Sequence, residues 1–93
     1  MNSQLKKYKA HILGDTYSIV SDEKESFILE SVQSVDSVMR EISEKMPAMD
    51  KQKVAVLAAL KIASGKIQLE HFIEEEKKLS SKIMDVLDFN IRL

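Results

Sequence analysis

Hydrophobic and polar positions change rhythm along the chain, and each rhythm predicts a different element. Between Tyr8 and Ile12 large or apolar residues alternate with polar ones, which puts Tyr8, Ala10 and Ile12 on one face of a strand. Gly14-Asp15-Thr16 interrupts the alternation, and Tyr17 and Ile19 resume it. Two short alternating runs joined by a glycine-containing turn predict a β-hairpin. A lone two-stranded hairpin is marginal in water, so this one must lie on something.

From Ile28 the period lengthens. Ile28, Val32, Val35, Met39, Ile42 and Met46 follow steps of four and three, and Val38 widens the stripe. That spacing predicts one amphipathic helix over roughly residues 22–46, about 36 Å long. Ser21 and Asp22 are candidate caps at its start, with Asp22 and Glu25 at capping-box spacing, and Pro47 closes it. Asp50 offers a cap for a second helix, and no proline interrupts that helix before the end of the chain.

The second helix opens with Lys53-Val-Ala-Val-Leu-Ala-Ala-Leu-Lys-Ile-Ala63, a segment with almost no polar face. Val54, Leu57 and Ala58 are expected to meet the first helix and the hairpin. Val56, Leu60 and Ala63, on the opposite side, are expected to meet another subunit. The alanines and Gly65 allow close approach of backbones, Gly65 at a cost of about 1 kcal/mol in helix propensity. Ile62, Gly65, Leu69, Phe72, Glu76, Leu79, Ile83, Val86, Asn90 and Leu93 are spaced alternately by three and four. This is a coiled-coil seam, broken by Glu76 and Asn90.

If helical throughout, residues 51–93 extend about 64 Å, well beyond what the first helix covers. Each large seam side chain left in water forgoes about 1.5 to 3 kcal/mol. Pairing with a second copy closes such a self-complementary surface, so the pattern predicts an obligate oligomer. The expected fold class is α+β and mostly α. It comprises an N-terminal β-hairpin, one amphipathic helix and one long C-terminal helix forming an intermolecular coiled coil. The expected division is a dimerising head over residues 1–65 and a coiled-coil tail over residues 66–93.

Composition removes most alternatives. A chain of 93 residues supports one small domain with a marginal core. It holds no cysteine, which excludes disulfides, thiolate metal sites and a cysteine nucleophile. The net charge of −1 argues against broad binding of nucleic acid, although Lys6, Lys7 and Lys9 make the first strand basic. No run approaches the about 20 apolar residues of a bilayer span, and the amino terminus lacks the apolar stretch of a secretion signal. A cytoplasmic protein without membrane insertion is expected.

Candidate chemistry is sparse. His11 and His71 have no carboxylate cluster at metal-ligand spacing, and Gly14 and Gly65 do not make a phosphate loop. Ser18, Ser21, Ser26, Ser31, Ser34 and Ser37 have no histidine or lysine placed to activate them. The residues therefore predict no catalytic centre, no metal and no cofactor. The five methionines read as core filling, and Tyr8, Tyr17 and Phe27 as packing between hairpin and helix. Phe89, beside the seam, is a candidate docking handle.

Three signatures in this order resemble the ZapA family of bacterial cell-division proteins over about residues 8–70. They are His11-Ile-Leu-Gly-Asp-Thr-Tyr-Ser-Ile19, the acidic helix ending Met39-Arg-Glu-Ile-Ser-Glu-Lys45, and the Lys53 to Ala63 segment. The resemblance implies a non-enzymatic scaffold whose heads dimerise and whose tails join dimers into an antiparallel tetramer. It implies binding to filaments of the tubulin-like protein FtsZ, which the assembly aligns and cross-links at mid-cell.

Carried onto this sequence, the head-dimer contact falls on Val54, Leu57, Ala58 and Leu60 together with the hairpin. The filament-facing candidates are the hairpin turn at Gly14 to Thr16 and the start of the second helix near Gln52. The sequence departs from the family pattern at Asp15, where a basic residue is common, and at Lys61, where asparagine is common. Both changes alter charge where a filament would dock, so Asp15, Gln52 and Lys61 are the positions to inspect. The tail beyond Gly65 is shorter than in many members. On the residues alone a second class stays open: a small helical adaptor or secretion-type chaperone whose tail grips a partner's helix.

Overall fold

The computed structural model describes residues 4–92, with side chains described through Leu87. In chain order the elements are strands β1 (Lys6–Ile12) and β2 (Asp15–Ser21), then helices α1 (Glu25–Lys45) and α2 (Lys51–Arg92). They are the hairpin, the amphipathic helix and the long helix that the three rhythms predict. The chain divides into two compact units, Met1–Ile62 and Ala63–Leu93.

The strands pair antiparallel, with Tyr8 opposite Ile19, Ala10 opposite Tyr17 and Ile12 opposite Asp15. Opposed residues share a face, so Tyr8, Ala10, Ile12, Tyr17 and Ile19 lie together, and Ala10 is fully buried. The turn is tighter than its sequence suggests. It is Leu13-Gly14, and Asp15 and Thr16 already belong to β2. Both turn residues have positive φ, 48° and 84°, the geometry of a two-residue hairpin whose twist matches that of its strands. Glycine adopts this freely, whereas a leucine does so at a cost of about 1 to 2 kcal/mol. Two contacts hold Leu13 there: its N–H donates to Asp36 Oδ1 at 2.8 Å, and its side chain packs at the edge of the core.

Helix α1 starts three residues later than residue 22, and not with a side-chain cap. Ser21 Oγ accepts from the Glu23 N–H at 3.0 Å, a local turn that competes with helix. The Glu23 carbonyl accepts from the Tyr8 hydroxyl at 3.3 Å. The first residue before the helix is Lys24, whose side chain makes no capping bond. For α2 the expected cap forms: Asp50 Oδ1 accepts from the Lys53 N–H at 2.9 Å, and the Asp50 carbonyl accepts from the Val54 N–H at 3.1 Å.

The core of the first unit is small. Met39, Val54 and Ala58 are buried together, with Ile12, Leu13, Val35, Val38, Ile42 and Met49 packed around them. Val54 and Ala58, four apart on one side of α2, are each 1% exposed. Leu57 is not part of this core. It is 37% exposed, because its position on the helix turns it past the edge of the face that meets Met39. Packing also differs at other side chains, Tyr17 among them, which is exposed. Phe27 is exposed, with Lys24 Nζ 5.8 Å from its ring centroid, and Met46 and Met84 are exposed while Met39 fills the core.

Candidate interaction surfaces

The inner face of the hairpin is wider than the stripe of α1 that covers it. Ala10 of β1 is buried, but its neighbour Tyr17 on β2 is exposed, and the uncovered part of the face opens into a recess of about 510 Å³. Its apolar walls are Ile12, Leu13, Tyr17, Ile19, Val35 and Met39. Sequence reasoning missed this recess. The signal was present: β2 adds Tyr17 and Ile19 to a face that a single helix stripe already had to cover.

At the rim of the recess sit two of the sequence-picked positions, Asp15 and Gln52. Asp15 is not a free charge. Lys51 Nζ donates to Asp15 Oδ2 at 3.0 Å, which ties the start of β2 to the start of α2. Lys61, the other departure from the family pattern, is likewise held: its Nζ donates to Glu41 Oε1 at 2.6 Å. That hydrogen bond, with the charge of the same lysine and then of Lys45, holds the Glu41 carboxyl below its ordinary pKa. Lys51 and Glu41 as partners were not legible in the sequence, since each lies 20 or more residues from the residue it meets.

Asp36 forms the third such tie. The Leu13 N–H and then Arg40, whose Nε–H donates to Oδ2 at 2.9 Å, hold its carboxyl below its ordinary pKa. All three ties join segments far apart in sequence at the surface of one small unit.

The four residues assigned to head contact separate into two pairs. Val54 and Ala58 are taken up by the chain's own core and have almost no surface to offer a second copy. Leu57 and Leu60 are exposed, as is Val56 beside them. Within the second unit, α2 is unbroken through Ser80 and Ser81. Leu69, Phe72, Leu79, Ile83 and Val86 are all exposed, Phe72 at 60%. Leu93 of the same seam lies outside the described residues, as do the side chains of Phe89 and Asn90. Among the described residues no group of three metal-binding side chains comes together, and no helix is long and apolar enough to cross a membrane.

Comparison with known proteins places this arrangement. The family model described as cell division protein ZapA matches residues 8–88. A cell division protein ZapA from Bacillus licheniformis is 36% identical over 76 residues, covering 82% of this chain and 89% of its own. Another from a Geobacillus species is 43% identical over 72 residues, covering 77% and 79%. A solved structure titled ZapA mutant dimer, from Geobacillus stearothermophilus, aligns with a TM-score of 0.64 at 34% identity, over 88% of this chain and 92% of that one. A solved structure titled unknown conserved bacterial protein, from Pseudomonas aeruginosa, aligns with a TM-score of 0.69 at 25% identity, over 94% of this chain and 98% of that one. With a family match over most of its length and relatives at this identity, the chain belongs to the ZapA family of non-enzymatic cell-division proteins.

Proposed function

We propose that this protein is a self-assembling scaffold of the division ring that binds FtsZ filaments in the cytoplasm and aligns or cross-links them at mid-cell. The observation that carries the reading is the exposed apolar seam from Leu69 to Val86 on a chain of a cell-division family. In this reading residues 1–65 act as the head and residues 66–93 as the tail. Two heads associate through the exposed Leu57 and Leu60, on a helix positioned by the buried Val54 and Ala58. A relative of the same family has been solved as a dimer, which supports this step. Tails then join dimers into tetramers, with Leu69, Phe72, Leu79, Ile83, Val86 and Leu93 as their shared core.

Cross-linking follows from valency. A head that binds a filament subunit weakly gains avidity when several heads are held in one assembly, because each later contact forms at high effective concentration. Asp15, Gln52 and Lys61 remain the filament-facing candidates, with Asp15 and Lys61 acting as the ion pairs Asp15–Lys51 and Lys61–Glu41 and not as lone charges. Co-sedimentation with polymerised FtsZ tests the assignment. The full chain is expected in the pellet, and a chain left in the supernatant while a bundling control pellets would remove its main support. Light scattering separates it from the adaptor class, which requires a stable monomer.

A further inference from the structure

Two helices hold the hairpin turn, each by one contact. The closing pair of the hairpin is Ile12 and Asp15, which leaves the Leu13 N–H outside the strand ladder. Asp36 of α1 takes that N–H on Oδ1 at 2.8 Å. Its other oxygen, Oδ2, accepts from Arg40 Nε at 2.9 Å, so both ends of the carboxylate are engaged and its direction is fixed. From the other side, Lys51 of α2 donates to Asp15 at 3.0 Å.

The hold is needed because the turn is strained. Leu13 sits at φ 48°, a conformation that asparagine or glycine adopts at lower cost than a leucine. Leucine is nonetheless placed there, with its side chain at the edge of the core and in the wall of the recess. Relaxed to an ordinary negative φ, Leu13 would leave that wall and carry Asp15 away from Lys51. The tip itself is open: apart from its chain neighbours, no described atom lies within 4 Å of a Cβ placed on Gly14. A strained turn that is clamped at its base and bare at its tip is arranged for contact. Strain of this kind is kept where a conformation must be set before a partner arrives, and a preformed turn spares the ordering cost that binding otherwise carries.

We propose that Asp36 is a positioning residue for filament binding: without touching the filament, it fixes Leu13-Gly14, and with them Asp15, in the conformation that docks. This rests on the filament-binding reading above. A merely stabilising Asp36 would move melting and binding together. A positioning one separates them.

Co-sedimentation with polymerised FtsZ, beside light scattering and thermal melting of the full chain, reads the difference. Asp36→Ala removes the acceptor and should weaken filament binding about tenfold with assembly mass unchanged. Asp36→Asn keeps an oxygen for the Leu13 N–H, so it should bind within about threefold of the wild type although it too melts lower near pH 7. Adding Leu13→Asn to Asp36→Ala makes an Asn-Gly turn, which takes this geometry without outside help. Binding should return toward the wild-type value while melting falls further, because the core contact of the leucine is gone. Wild-type binding by Asp36→Ala would overturn the proposal, as would equal weakening in the alanine and asparagine variants or a folded double variant that binds no better than Asp36→Ala. A wild-type chain left in the supernatant would instead overturn the filament-binding reading itself.

Discussion

The two halves of α2 carry the same kinds of side chain to opposite fates. Near its start, Val54 and Ala58 reach 1% exposure against Met39, while further along Leu69, Phe72, Leu79, Ile83 and Val86 stay exposed. Helix propensity and hydropathy do not separate them. The difference is whether the chain itself supplies a facing surface, as α1 and the hairpin do for the first unit. A seam that is long, regular and exposed is therefore information about a neighbour, because exposed apolar area of this extent is a liability in a monomer. The first unit teaches the converse: a short apolar helix can be largely consumed by its own core and leave only its flank, Val56, Leu57 and Leu60, to meet another surface.

This contrast can be broken experimentally. The largest effect is expected from Val54→Asp, which buries an unpaired charge in a core of few residues and should cost more than about 3 kcal/mol. Loss of the cooperative thermal transition would report it, and an unchanged melting curve would contradict the burial of Val54. Leu79→Asp with Ile83→Asp should leave the melting of the head intact and lower the mass seen in light scattering, since the seam is exposed within one chain. Leu57→Asp should resemble the tail variant more than Val54→Asp, with self-association weakened and stability changed by about 1 kcal/mol or less.

Gly65→Ala has a smaller expected effect. Apart from its chain neighbours and the adjoining backbone of its own helix, no described atom lies within 4 Å of the added Cβ, so the gain in helix propensity, up to about 1 kcal/mol, should appear as a higher melting temperature. A fall in mass instead would mean that a second copy approaches closely there. The smallest effect concerns Asp36. Because its carboxyl is held below its ordinary pKa, its stabilisation is present above the unfolded value of about 3.9 and is lost as pH falls through the folded value. Asp36→Asn should therefore melt below the wild type near pH 7, and the gap should close on acidification below about pH 4.

Much of the fold was legible because its causes are local. The alternation from Tyr8 to Ile12, the three-and-four spacing from Ile28 to Met46, Pro47 after it and the Asp50 cap are all read within a few residues, and all four correspond to elements or boundaries seen in the structure. Where reading failed, a group distant in sequence or a competing local bond had decided the outcome. Leu13 takes the turn because Asp36, 23 residues away, grips its N–H. Helix α1 starts late because Ser21 closes a turn onto Glu23 first. The candidate charges Asp15 and Lys61 looked free in the sequence, and each proved to be half of an ion pair.

Periodicity alone determined the order and type of the elements and the existence of an apolar seam, since backbone geometry converts spacing directly into faces. Only the tertiary structure decided which of those faces the chain fills for itself. That depends on contacts between segments far apart in sequence, such as Met39 with Val54 and Ala58, which no local pattern encodes.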